Sequence, residues 1–290
     1  MAENKVVNIT QLEADLTSIA NSIREKSGAS DALVFPNGFV DAIASIETGG
    51  GGFDIGSIAD GTISGEISSD TPTNVRADAF SNCTQLTSVS FPNVTSISSS
   101  AFERCSSLVS ANFPTAVTIG SYCFSGCSNL TSITASSEIS SISSYAFQNC
   151  SSLTNVDNLF TSQKLTILGT YAFTGCSSLE KVTALWLRTL QQGAFQKCTN
   201  LHTIELNGYS QNQGTIASKA FYNCSSLTSV VIRFATTMWT LSNVDAFSGT
   251  PIASGTGYIY VQPTLLNSYK AATNWSTYAN QIKSLSEYTG

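Results

Sequence analysis

Residues 79–92 read AFSNCTQLTSVSFP: a cysteine stands three places after a phenylalanine, and a leucine three places after the cysteine. The same beat returns as AFERCSSLVSANFP, CFSGCSNLTSI, AFQNCSSLTNV, AFTGCSSLEKV, AFQKCTNLHTI and AFYNCSSLTSV. A catalytic or metal-binding cysteine has no reason to recur in seven copies, whereas a structural unit does. The anchor aromatics are Phe80, Phe102, Phe124, Phe147, Phe173, Phe195, Phe221 and Phe247, spaced by 22, 22, 23, 26, 22, 26 and 26 residues. At the eighth anchor Thr250 and Ala253 replace the cysteine and leucine, which marks a terminal rung. Self-similarity at such a period is the signature of stacked repeats, because one rung cannot bury its apolar residues alone.

Each leucine opens a short strand signal of the form L-x-x-L-x-L, as in Leu86-x-x-Val89-x-Phe91 and Leu201-x-x-Ile204-x-Leu206. A further apolar pair, such as Val94 and Ile97, leads back to the next anchor. On these residues the region from about 55 to 250 resembles BspA-type leucine-rich repeats. The resemblance implies a mainly β solenoid of about eight rungs, each giving one strand to a curved parallel sheet. At ~4.8 Å per strand that sheet would run about 35–40 Å.

The recurring Cys83, Cys105, Cys127, Cys150, Cys176, Cys198 and Cys224 then form an interior column. Cysteine behaves there as a small hydrophobe with a weak S–H donor. Neighbours in such a column stay ~4.8 Å apart at Cβ, while a disulfide needs about 3.8 Å. Filler is therefore expected rather than bridges. The extra Cys123 makes a lone C-x-x-x-C with Cys127 and no nearby histidine, a packing variant rather than half a zinc site.

Two flanks depart from the repeat. In residues 1–48, Thr10 and Glu13 form a capping box. Leu12, Leu16, Ile19 and Ile23 share one helical face, and Phe39 and Ile43 share another. A helical hairpin is expected, too small to be stable alone and so in need of a partner. Residues 49–54 read as a Gly-rich joint. The segment from Leu12 to Ile46, with Ile23-Arg24-x-Lys26-x-Gly28 and Phe35-Pro36, resembles an N-terminal module of tailed-bacteriophage structural proteins. That resemblance implies attachment to other virion proteins or to copies of the same chain. Residues 251–290 read as a closing cap: a strand over Tyr258–Val261, a helix from Pro263 to near Ala272, and a second helix holding Trp275, Tyr278 and Ile282.

Composition narrows the function. Only 11% of residues are charged and the net charge is −6, the opposite of what phosphate binding needs, so no nucleic acid is expected as partner. No apolar run is long enough to span a bilayer. The start MAENKVVNIT lacks the basic-then-apolar pattern of an export signal. The single histidine, His202, has no base partner to offer among the many serines, and no metal, cofactor or enzymatic activity is expected.

What remains is surface. Side chains alternate along a strand, so Ser88, Ser90, Ser110, Asn112, Ser132, Thr134, Asn155, Asp157, Lys181, Thr183, Thr203, Glu205, Ser229 and Val231 are expected to face outward. Such a hydroxyl ladder suits many weak hydrogen bonds to a glycan, and equally suits a solvated face free of apolar patches. The longer spacings locate insertions at DNLFTSQK, NGYSQNQG and RFATTMWT, and insertions in repeat arrays tend to gather on the binding face. Candidate contact residues are thus Asn155, Asp157, Lys181, Trp186, Arg188, Glu205, Tyr209, Arg233 and Trp239. Together these readings lead to a non-enzymatic virion structural protein, in a tail fibre, baseplate or head decoration. Its outward repeats would meet a host-surface glycan or protein. A bacterial surface adhesin and a ligand-free decoration protein are the alternatives.

Overall fold

The computed structural model describes residues 6–8, 64–68, 70, 72–184, 186–207 and 213–290. The expected helical hairpin, with Leu12, Leu16, Ile19, Ile23, Phe39 and Ile43, lies outside the described residues, as do the Gly-rich joint and Tyr209. The repeats form the expected solenoid, but every rung except the one after Leu153 carries two strands. A front strand follows the leucine, and a two-residue back strand precedes the next anchor. The back strands run without interruption from Asn74–Val75 to Thr240–Leu241 as one eight-stranded parallel sheet. Its inward residues, Ile97, Ile119, Ile142, Leu168, Leu190, Ile216 and Leu241, are all buried.

The anchors explain why the rungs keep register. Ring centroids of successive anchor phenylalanines lie 4.9–5.9 Å apart with planes only 3–9° from parallel. Each ring is fully buried, worth roughly 1.5–3 kcal/mol of apolar transfer per side chain. The backbone N–H of each anchor donates to the residue before the next one, as Phe80 to the Ala101 carbonyl at 2.7 Å and Phe173 to Ala194 at 2.8 Å.

Cysteine completes this arrangement. The Phe80 carbonyl accepts the Cys83 N–H from its own rung at 3.2 Å and the Cys105 thiol from the next rung at 3.0 Å. Cys127, Cys150, Cys176, Cys198 and Cys224 donate in the same way to Phe102, Phe124, Phe147, Phe173 and Phe195 at 2.9–3.1 Å. A buried carbonyl has two lone pairs to satisfy, and a small side chain with one weak donor meets the second without adding polar atoms of its own. All eight cysteines are buried and unbridged. In the last rung the Thr250 hydroxyl takes over, donating to the Phe247 carbonyl at 2.6 Å.

The tight turn at the anchors takes left-handed backbone two residues before the phenylalanine, except at Phe247, and two residues after it. The later position holds Asn82, Gly126, Asn149, Gly175, Asn223 and Gly249, and in two rungs Arg104 and Lys197, all at φ between 57° and 76°. Asparagine and glycine tolerate that region best.

One expectation of the sequence is overturned. The front strands do not form a single sheet. Val6–Asn8, Ser64–Ser68, Gln85–Ser90, Ser110–Asn112 and Ser132–Thr134 make one parallel sheet. Lys181–Ala184, Thr203–Asn207, Ser229–Arg233, Tyr258–Val261 and Ile282–Ser284 make another. Between them the DNLFTSQK rung replaces its strand with a 3-10 turn, Asp157–Phe160, so Asn155 and Asp157 are not strand residues. Leu159 and Phe160 enter the core there, which an extended strand with period two would not allow at adjacent positions.

The cap also differs from expectation. Pro263–Leu265 and Leu266–Ala271 are helical as read, but Ile282 belongs to the final front strand, where it pairs with Ile259. An added strand pairs the backbone groups that Tyr258–Val261 would otherwise leave open. Trp275 and Tyr278 lie 6.2 and 5.3 Å from the Phe247 ring and close the end of the aromatic column.

Candidate contact surface

The outward face of the second front sheet gathers most of the charged candidates. Strand register sets Lys181 opposite Thr203, Thr203 opposite Ser229, and Ser229 opposite Tyr258. The neighbouring row runs Thr183, Glu205, Val231, Tyr260 and Lys283. Val182, Ile204, Val230 and Ile259, one residue along each strand, point inward and are fully buried. The first row is therefore a shallow trough, floored by two small hydroxyl residues between a lysine and a tyrosine. At ~4.8 Å per strand, Lys181 and Tyr258 stand ~14 Å apart.

Glu205 organises the second row. Its Oε1 lies 2.9 Å from Lys181 Nζ and its Oε2 2.8 Å from Arg233 Nε. The glutamate side chain is 13% exposed, against 53% for the lysine and 31% for the arginine. Burial pushes the Glu205 carboxyl up, yet the hydrogen bonds from Arg233 and Lys181 outweigh it and hold the group below its ordinary value. The hydrogen bond to Glu205 raises the Lys181 ammonium in turn. Each charge keeps its partner charged.

Aromatic rings continue the face. The Arg233 guanidinium lies 5.4 Å from the Tyr288 ring centroid, and Lys283 Nζ 5.7 Å from that of Tyr258, both within cation–π reach. Tyr260 bridges them, 6.2 Å from Tyr258 and 4.9 Å from Tyr288. The turn Leu285–Glu287 packs on the strands Ser229–Arg233 and Tyr258–Val261. Val231, expected to be exposed, is fully buried in that neighbourhood. Tyr258 is 37% exposed and stands beside Ser229 in the first row.

Of the residues singled out from sequence, Lys181, Glu205 and Arg233 come together in direct contact. Asp157 stands at the sheet's edge, its Oδ1 accepting the Thr183 N–H at 2.9 Å, and Asn155 Oδ1 accepts the Asp157 N–H at 2.8 Å. Both therefore serve the backbone. Trp186 and Arg188 are half-buried in the connection to the back strand Thr189–Leu190. Trp239 is corrected: it is 2% exposed, and its backbone is held by the cap. Its N–H donates to the Tyr269 hydroxyl and its carbonyl accepts from Trp275 Nε1, each at 2.8 Å. Tyr258, Tyr260, Lys283 and Tyr288 were missed. Alternation along the strand expected over Tyr258–Val261 would place Tyr258 and Tyr260 on one face and Ile259 and Val261 on the other, so the signal lies in the sequence.

A model of the BspA type leucine rich repeat region matches residues 63–159 and 154–258. A comparison with curated proteins gives no match. Among solved structures, a leucine-rich repeat protein of T. pallidum is 18% identical, with a TM-score of 0.40 over 63% of this chain and 75% of that one. One from Bacteroides ovatus is 17% identical, with a TM-score of 0.31 over 75% of this chain and 83% of that one. A leucine-rich cell surface protein of Faecalibacterium prausnitzii is 19% identical, with a TM-score of 0.27 over 63% and 76%. With the repeat model covering most of its length and the rungs built as described, the chain belongs to the BspA type leucine-rich repeat family.

Proposed function

We propose that this chain is a non-enzymatic structural protein of a tailed-bacteriophage virion, exposed on the particle and working by contact. Residues 1–48 attach it to other virion proteins or to sister copies, and the repeats project outward as an adhesion or decoration module. The attachment half of this reading rests on the resemblance of residues 12–46 to phage structural modules. The observation that carries the contact half is the convergence of Lys181, Glu205, Arg233 and Tyr258 on one outward sheet face. The remaining front strands present small hydroxyls such as Ser88 and Ser110, which bond each other at 2.9 Å.

Two measurements test it. Gold-labelled antibody against the repeats should decorate purified particles, and label confined to a bacterial envelope would replace the virion reading with that of a surface adhesin. The full chain should also be retained on host cells above a scrambled-sequence control. Particle labelling without retention would leave decoration as the role.

A further inference from the structure

The trough Lys181–Thr203–Ser229–Tyr258 has the chemistry of a site for one class of ligand, and we propose that it binds an uncharged pyranose oligosaccharide. The inference rests on the contact role of this face and names its ligand.

The floor comes first. Thr203 and Ser229 are partly exposed and small, so a flat ligand can lie across them and find hydroxyl donors and acceptors beneath. At one end Tyr258 stands up from the sheet with a third of its surface open. An aromatic ring offers a broad apolar contact at low conformational cost, matching the C–H face of a pyranose. Alongside, Glu205 is kept ionised and fixed in place by two cations, an acceptor whose hydrogen bonds from sugar hydroxyls would be charge-assisted. At the far end Lys181, the more exposed of the two cations, supplies donors.

Charge decides against other ligands. Lys181, Arg233 and Lys283 are balanced on this face by Asp157, Glu205 and Glu287, three of each sign, in a chain whose formal net charge is −6. An anionic glycan would have to compete with Glu205 for the same two cations. A cationic ligand would meet those cations at the rim. An extended peptide binds by adding to a bare strand edge, and at Thr183 that edge is already occupied by Asp157. Small neutral rings rich in hydroxyls meet none of these obstacles.

The experiment uses the full chain on an array of neutral oligosaccharides (glucans, galactans, mannans and N-acetylhexosamine oligomers) beside uronic-acid and sialylated controls. Binding to at least one neutral class is expected. Tyr258→Ala and Glu205→Gln should each weaken it at least tenfold, while Tyr122→Ala, in the turn of another rung, leaves it unchanged. Melting curves confirm that the variants are folded, and Ser229→Gln, which fills the floor, gives a second route to the same loss. No neutral binding, binding to acidic glycans alone, or binding that survives Tyr258→Ala and Ser229→Gln overturns the proposal. The parent reading is scored separately, by retention on host cells. Retention lost in Tyr258→Ala without any neutral-glycan binding would keep this face as the contact surface and discard the sugar. Absence of retention and of glycan binding would discard the sugar and the adhesive role of this face, with decoration then decided by the labelling of particles.

Discussion

Asp157 accepts the backbone N–H of Thr183 across the break between the two front sheets, at 2.9 Å. The next residue works in the opposite direction: Asn158 Nδ2 donates to the Ile133 carbonyl at 2.8 Å. Ile133 lies in the last strand of the first sheet and Thr183 in the first strand of the second. Two side chains on one 3-10 turn thus take over bonds that a missing strand would have made. Asp157→Ala leaves the Thr183 amide without its partner, so a loss of about 1–3 kcal/mol is expected in chemical denaturation. Asp157→Asn keeps an acceptor oxygen and should recover much of the loss. Equal destabilisation by the two variants would show that the oxygen is not what matters.

The cysteine column makes a chemical prediction. Burial pushes the thiols of Cys123, Cys150, Cys176 and Cys198 up, away from the reactive thiolate. All eight cysteines should resist alkylation at neutral pH in the folded protein and react together once it is unfolded. Cys150→Ala removes both the donor to Phe124 and a little volume, and should cost about 1–2 kcal/mol. One thiol labelled rapidly in the folded state would contradict its place in the column.

The parts of this fold that were legible are those that repeat by burial. Phe80, Cys83 and Leu86 recur because each rung must match the last, and seven copies of the beat outweigh any local ambiguity. The back strands were harder to see, since a two-residue strand such as Ser96–Ile97 has no periodicity of its own. The sheet break was hard to see because NVDNLF alternates like a strand through Asp157, and only the polar Asn158 at the next inward position, with Asn155 and Asp157, hints at a turn. Trp239 misled for a different reason. A tryptophan in an insertion resembles a contact residue by type, but the cap that buries it lies thirty or more residues away, in Tyr269 and Trp275. The contact surface was half legible: Lys181, Glu205 and Arg233 follow from strand alternation, whereas Tyr288 reaches the face through a turn that no repeat encodes.

Tyr122, Tyr145 and Tyr171 form an aromatic column of their own at the turn before each anchor. Ring centroids lie 4.6 and 5.2 Å apart, and all three residues have φ between 54° and 60°. Left-handed backbone is costly for a bulky side chain, and the stacking works against that cost. The column ends where Gly193 leaves room: a Cβ there would stand 2.2 Å from the Tyr171 ring. Tyr145→Ala keeps the backbone cost and loses both stacks, for an expected loss of about 1–3 kcal/mol at some 0.5–1.5 per pair. Tyr145→Phe should be close to neutral, and a neutral alanine variant would show that the column contributes nothing.

The ion triad sets a pH dependence whose sign can be worked out. Glu205 is held below its ordinary value of 4.5 by Arg233 and Lys181. Folding therefore favours its charged form, and the contribution is present in full above the ordinary carboxylate range. It is lost as pH falls through the lowered value, where the folded protein takes up the proton. The parent should accordingly exceed Glu205→Gln in stability at pH 7, and the two should converge as the pH is taken down through 4 and below. Because Lys181 is half exposed, its share of the coupling is expected at about 0.2–1 kcal/mol, within the range of surface pairs. A double-mutant cycle with Lys181→Met at pH 7 measures that share, and repeating the cycle in high salt should shrink it. Arg233, less exposed and also set against Tyr288, should show the larger coupling of the two. A gap between parent and Glu205→Gln that stays constant from pH 7 to pH 3 would mean that packing, not charge, holds the triad in place.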